Sequence, residues 1–174
     1  VRTYEGGREP AISPDGTRVA YWQDDPGRPS RFGETPLMLL TLATGKAVEL
    51  QRGENQRPVW SRDGQTLYFI RMRDGRREVA AAPPKPGALA KTHFRAEGDL
   101  YGLSRAPGDA LLVVHDLDTV TWLDWRGQVQ RTMAADAITG VLAGTYSIDR
   151  FIPRPGRPDQ LLYSRRAKLK PDDI

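Results

Sequence analysis

The chain has 174 residues, 39% hydrophobic and 28% charged, with a net charge of +4. That length supports a substantial buried core, and the absence of cysteine excludes disulfides, thiolate–zinc sites and thiol catalysis. Seventeen Gly and fourteen Pro, spread along the chain, favour many tight turns and leave little room for long helices. Arginine supplies most of the positive charge, since lysine occurs only at 46, 85, 91, 168 and 170. The longest apolar run, Leu37–Ala43, is too short to cross a bilayer as a helix. Val1–Tyr4 carries no signal-peptide pattern, as expected of a mature or trimmed fragment.

In chain order, the first element is residues 9–22, EPAISPDGTRVAYW. A Pro leads to Ser-Pro-Asp-Gly and then to an alternating strand, Thr17–Trp22. Residues 24–36 follow as a Pro/Gly-rich insert between a second and a third strand, with Phe32 flanked by Arg31 and Glu34. Loops of that length are often either disordered or recognition loops. Leu40–Leu50 then forms a hairpin that turns at Thr44-Gly45. The same sentence returns at 57–70, RPVWSRDGQTLYFI, and Arg73-Asp-Gly-Arg76 makes the next hairpin. A degenerate third copy spans Leu100–His115, with Ser104 at the expected turn serine, and Val120–Gln130 turns at Arg126-Gly127. A fourth, fainter copy is Phe151–Ser164.

Periods of about 40–50 residues mark solenoids or propellers. About four strands per period, with no helical periodicity, select the β-propeller. The turn explains itself by folding. Pro14 presets φ for the first central position of a type I turn, Asp15 suits the next, and Gly16 accepts the left-handed conformation that closes the hairpin. Arg62 replaces the proline in the second copy, which type I tolerates.

PAISPDGTRVAYW and PVWSRDGQTLYFI resemble the repeat of TolB-like β-propellers, a WD-repeat-like pattern of Pro-x-Trp-Ser-Pro-Asp-Gly followed by an apolar strand. Ile12 stands where Trp is usual. The resemblance implies an all-β fold of four-stranded blades at about 8–51, 56–93 and 99–133, with a partial blade at 145–166. These make a partial propeller of three to four blades within a single domain, 1–174. Val1–Tyr4 would be the outermost strand of an earlier blade. Open blade edges invite pairing into a homodimer, and a closed four-bladed ring is the alternative.

Catalytic constellations are sparse. Gly102–Ala106 resembles a nucleophile elbow around Ser104, but its last position is Ala and the elbow needs a strand-to-helix turn. His115-Asp-Leu-Asp118 could offer metal ligands, yet on a strand His115 and Asp116 point to opposite faces, and no cluster of histidines supports zinc. Gly6-Gly7 precedes a strand, so it offers no helix-terminus phosphate site. Asp24-Asp25 belongs to a loop. The basic stretches Arg71–Arg77 and 165–170 fall on turns and a tail, without the interleaved aromatics of a nucleic-acid surface. The tail suits acidic partners or a membrane surface.

These readings predict a non-enzymatic module with no catalytic residue, metal or cofactor. It would bind a protein or a small ligand at the propeller mouth, near the inner-strand starts at Glu9, Gln56, Arg57, Asp99 and Tyr101, with Phe32 as a further contact. The resemblance implies a bacterial, periplasmic setting. There the chain would be an interaction or sensor domain of a ToxR- or CadC-like transmembrane regulator, or the non-catalytic propeller cap of a prolyl-oligopeptidase-type serine peptidase.

Overall fold

A computed structural model describes residues 7–23, 35–53, 55–106, 110–116, 119–134, 137, 146–154 and 157–167. Phe32, Val1–Tyr4 and Asp24-Asp25 lie outside the described residues, as does the 168–174 part of the basic tail. The chain forms two compact units, Val1–Arg95 and Ala96–Ile174.

The first unit holds two four-stranded antiparallel sheets with strands in chain order, the signature of propeller blades. One contains β1 (Gly7–Ile12), β2 (Arg18–Gln23), β3 (Thr35–Thr41) and β4 (Lys46–Gly53). The next contains β5 (Asn55–Trp60), β6 (Leu67–Arg73), β7 (Arg76–Ala82) and β8 (Lys91–Phe94). The second unit holds a third such sheet: β9 (Leu100–Arg105), β10 (Leu111–His115), β11 (Thr119–Leu123) and β12 (Val129–Ala134). With it stands a two-stranded sheet of β13 (Tyr146–Arg154) and β14 (Arg157–Ala167). The fold class is therefore all-β, with four-stranded propeller blades and one half-blade.

The repeated turn folds as its chemistry dictates. The Gly16 N–H donates to the Ser13 carbonyl at 2.9 Å, and the Gly64 N–H to the Ser61 carbonyl at 3.1 Å. Both glycines are left-handed, with φ of 70° and 68°. In each copy the serine hydroxyl donates to the aspartate, from Ser13 to Asp15 at 2.5 Å and from Ser61 to Asp63 at 2.6 Å. The same hydroxyl accepts a backbone N–H from Arg18 or Thr66, each at 2.9 Å. The Ser13 hydroxyl, followed by the Thr17 N–H, pulls the Asp15 carboxyl down to about 2.

The third copy departs from expectation. Ser104 lies inside β9 opposite Leu112, and the closing bond runs from the Ala106 N–H to the Ala110 carbonyl at 2.7 Å. Ala106 therefore takes the place of the turn serine. β9 continues past Ser104 to Arg105, so Ser104 sits within a strand and not at the strand-to-helix corner an elbow needs.

The two sheets of the first unit pack face to face. Ala20, Leu37, Leu39 and Leu50 meet Trp60, Leu67, Phe69, Ala80 and Ala82 in one buried cluster. Each large side chain in it contributes roughly 1.5–3 kcal/mol. Polar contacts add direction. Trp60 Nε1 donates to the Ala11 carbonyl at 2.9 Å, and the Arg18 guanidinium lies 4.9 Å from the Trp60 ring while Arg18 Nη2 donates to the Gly64 carbonyl at 3.2 Å. The repeat tryptophan thus fastens one blade to the one before it. In the second unit, Ala106, Leu112, Val114 and Val120 form the core, flanked by Tyr101 and Trp122, and β13 lies against β9 and β10.

Candidate functional site

The inner strands of the first unit begin with matched irregularities. β1 shifts register between Arg8 and Ala11, and β5 between Gln56 and Val59. Within these bulges Glu9 and Arg57, each followed by a proline, take positive φ values of 48° and 55°. The bulges bring the two residues together. The Arg57 N–H donates to Glu9 Oε2 at 2.9 Å, and Arg57 Nε stands 3.9 Å from Glu9 Oε1. Of the residues expected at the mouth, this pair is in direct contact. Gln56 occupies its strand position opposite Ile70.

Asp99 and Tyr101 belong to the second unit. Asp99 is exposed, and its carbonyl accepts the Asp116 N–H at 3.0 Å. Tyr101 is half-buried against the Ala106–Val120 core. Here the structure corrects the expected divergence of His115 and Asp116. The β9–β10 pairing slips between Val114 and His115, and Asp116 takes φ 53°, so its carboxylate swings back to the histidine. His115 Nδ1 lies 2.8 Å from Asp116 Oδ2, His115 Nε2 lies 2.9 Å from Thr121 Oγ1, and Thr121 Oγ1 lies 3.0 Å from Thr132 Oγ1. A carboxylate only accepts, so neutral His115 carries its proton on Nδ1 and accepts from Thr121. Thr121 is 2% exposed, which removes it as a nucleophile. Among the described residues, no group of three or more His, Asp or Glu is placed to hold a metal ion.

Gly98 makes this chain possible, because a Cβ added there would collide with the Asp116 carboxylate. Gly98→Ala is expected to push the exposed Asp116 carboxylate off His115 at about 1 kcal/mol, the net worth of the lost hydrogen bond, because only a side-chain end has to move, read by denaturant unfolding. Nitrogen NMR should show His115 as the Nδ1–H tautomer in the native chain and as a mixture in the variant.

A third polar cluster lies around β6–β8. Glu78, fully buried in β7, accepts from Arg71 Nε at 2.8 Å, Arg95 Nε at 2.7 Å and Thr92 Oγ1 at 3.0 Å. Burial pushes its carboxyl up, but the hydrogen bonds from Arg95, Arg71 and Thr92 outweigh that and hold it below the ordinary value. Arg71 therefore leaves the solvated turn charges expected of Arg71–Arg77, and its side chain is 14% exposed. The signal was in the Asp74-Gly75 hairpin, whose register places Arg71 opposite Glu78.

No protein-family model matches the chain. Over 69 residues it is 35% identical to the uncharacterized peptidase YuxL of Bacillus subtilis, a match covering 38% of this chain and 10% of that protein. TolB from Acinetobacter baumannii superposes with a TM-score of 0.60 at 18% identity, over 92% of this chain and 41% of that one. The acylaminoacyl peptidase of Pyrococcus horikoshii does so with a TM-score of 0.58 at 15% identity, over 96% and 33%. The chain thus spans less than half the length of each. A gluconolactonase of Xanthomonas campestris and a prolyl endopeptidase also share the fold. These likenesses correct the expectation of a non-enzymatic module: proteins similar to this chain include enzymes, and its sequence match is to a peptidase. The blade motifs hold no catalytic constellation, but a propeller can belong to an enzyme without carrying its chemistry in the repeat. The fold of this chain is that of the TolB-like β-propellers.

Proposed function

We propose that the chain is part of the propeller domain of a prolyl-oligopeptidase-type serine peptidase, where it governs which peptides reach the catalytic groups. The observation that carries this reading is the 35% identity to YuxL over 69 residues. The peptidase structure that superposes over 96% of the chain is compatible with it through the fold. In this role the Glu9–Arg57 pair, at the inner-strand starts of the first unit, meets the incoming peptide, with Gln56 beside it on β5. An extracytoplasmic, bacterial setting follows the TolB-like resemblance.

The test is to express the natural full-length polypeptide and treat it with a fluorophosphonate probe and with N-blocked aminoacyl p-nitroanilides. Covalent labelling of a serine outside residues 1–174, with turnover of the substrates, is the expected result. A full-length protein that carries a DNA-binding domain and a membrane span, and does not label, would replace this reading with the sensor domain.

A further inference from the structure

Exposed apolar side chains are not scattered at random over the blades. Six large ones are exposed among the described residues, and all but Met72 stand at the end of their sheet that carries the repeat turn and the outer hairpin turn. In the first unit these are Ile12 at 66%, Leu42 at 40% and Leu89 at 87% exposure. The Leu42 N–H donates to the Thr17 carbonyl at 2.9 Å, which ties the β3–β4 turn to the β1–β2 turn at that end. The contacts from Trp60 to Ala11 and from Arg18 to Gly64 bring the corresponding end of the next sheet alongside.

The lysines follow the same pattern. Lys46, Lys85 and Lys91 are the only lysines among the described residues, all are exposed, and all flank the β3–β4 and β7–β8 connections of this end. Asp15 and Asp63 share the end as anions hydrogen-bonded within their own turns, and Arg18 and Arg62 beside them offset that charge, so the lysines give this end its net positive charge. By itself, the second unit also carries exposed apolar tips at its own outer hairpin, there with an arginine and no lysine. Trp125 is 60% exposed, with the Arg126 guanidinium 4.6 Å from its ring, and Val129 is 54% exposed.

We propose that this turn end of the first unit docks on an anionic phospholipid surface. Separate apolar tips with a lysine beside them suit a headgroup layer, where the tips enter the acyl boundary and the ammonium groups reach the phosphates. Lysine is depleted from protein–protein interfaces, so the composition favours lipid over an acidic protein. The inference is independent of the peptidase reading.

The experiment is sedimentation of the full chain with vesicles of phosphatidylcholine, with and without about 30% phosphatidylglycerol. Partitioning onto the anionic vesicles is expected to exceed that onto pure phosphatidylcholine by about tenfold or more and to weaken as salt rises. The triple variant Lys46→Gln, Lys85→Gln, Lys91→Gln should lose most of that difference, and Leu89→Ser should reduce binding severalfold. Both sets of positions are exposed, so unchanged circular dichroism and unfolding midpoints confirm intact folding. The proposal is overturned if neither vesicle binds, as an acidic protein partner would predict. It is equally overturned if both vesicles bind alike, or if the triple variant binds like the native chain, which would assign binding to the basic 165–170 segment.

Discussion

Replacing Glu78 by Ala is expected to destabilise the first unit by about 3–5 kcal/mol at neutral pH. The variant leaves Arg71, 14% exposed, beside an emptied site, and strips Arg95 and Thr92 of their acceptor. Removing one partner of a buried ion pair is costly because the other keeps its desolvation penalty without its Coulombic return. The pH dependence has a definite sign. The folded-state pKa of Glu78 lies below its ordinary value, so the carboxylate's contribution is complete above the unfolded value of about 4.3. It is lost as pH falls through the folded value. Denaturant midpoints of the native chain and Glu78→Gln should therefore differ clearly at pH 7 and converge in acid. A difference that persists unchanged in strong acid would mean that packing, and not charge, holds this site.

Trp60→Ala is expected to cost a similar amount, about 3–5 kcal/mol, by opening a cavity between the two sheets of the first unit. Trp60 is 4% exposed, packs in the shared core, lies under Arg18 and donates to the Ala11 carbonyl. Trp60→Phe separates these contributions. It keeps most of the ring and removes the indole N–H, so its cost should be near 1 kcal/mol, the net worth of one hydrogen bond. Thermal or urea unfolding of the two variants gives the comparison. If Phe were as damaging as Ala, the link between the blades would be the hydrogen bond and not the buried ring. Ile12 occupies the corresponding position of the first sheet, but among the described residues it joins no buried cluster, and it is 66% exposed.

What could be read from the residues alone was local. Ser-Pro-Asp-Gly specifies its turn through contacts within five residues, Ser13 to Arg18 and Ser61 to Thr66. The repeated turn, followed each time by apolar alternation, was enough to indicate four-stranded blades. The third copy lacks the Asp-Gly order that anchors the count, so Ser104 falls inside β9 and not at the turn. The convergence of His115 with Asp116 and the pairing of Glu9 with Arg57 depend on bulges. A single slipped residue reverses which face a side chain takes, and alternation assumes that no slip occurs. The Asp74-Gly75 hairpin register sets Arg71 opposite Glu78, but that Thr92 and Arg95 return to close round the buried carboxylate is not disclosed by a run of arginines. Short-range turn chemistry was thus settled by sequence, while the polar contacts that distinguish this propeller from a plain repeat were decided only when distant strands met.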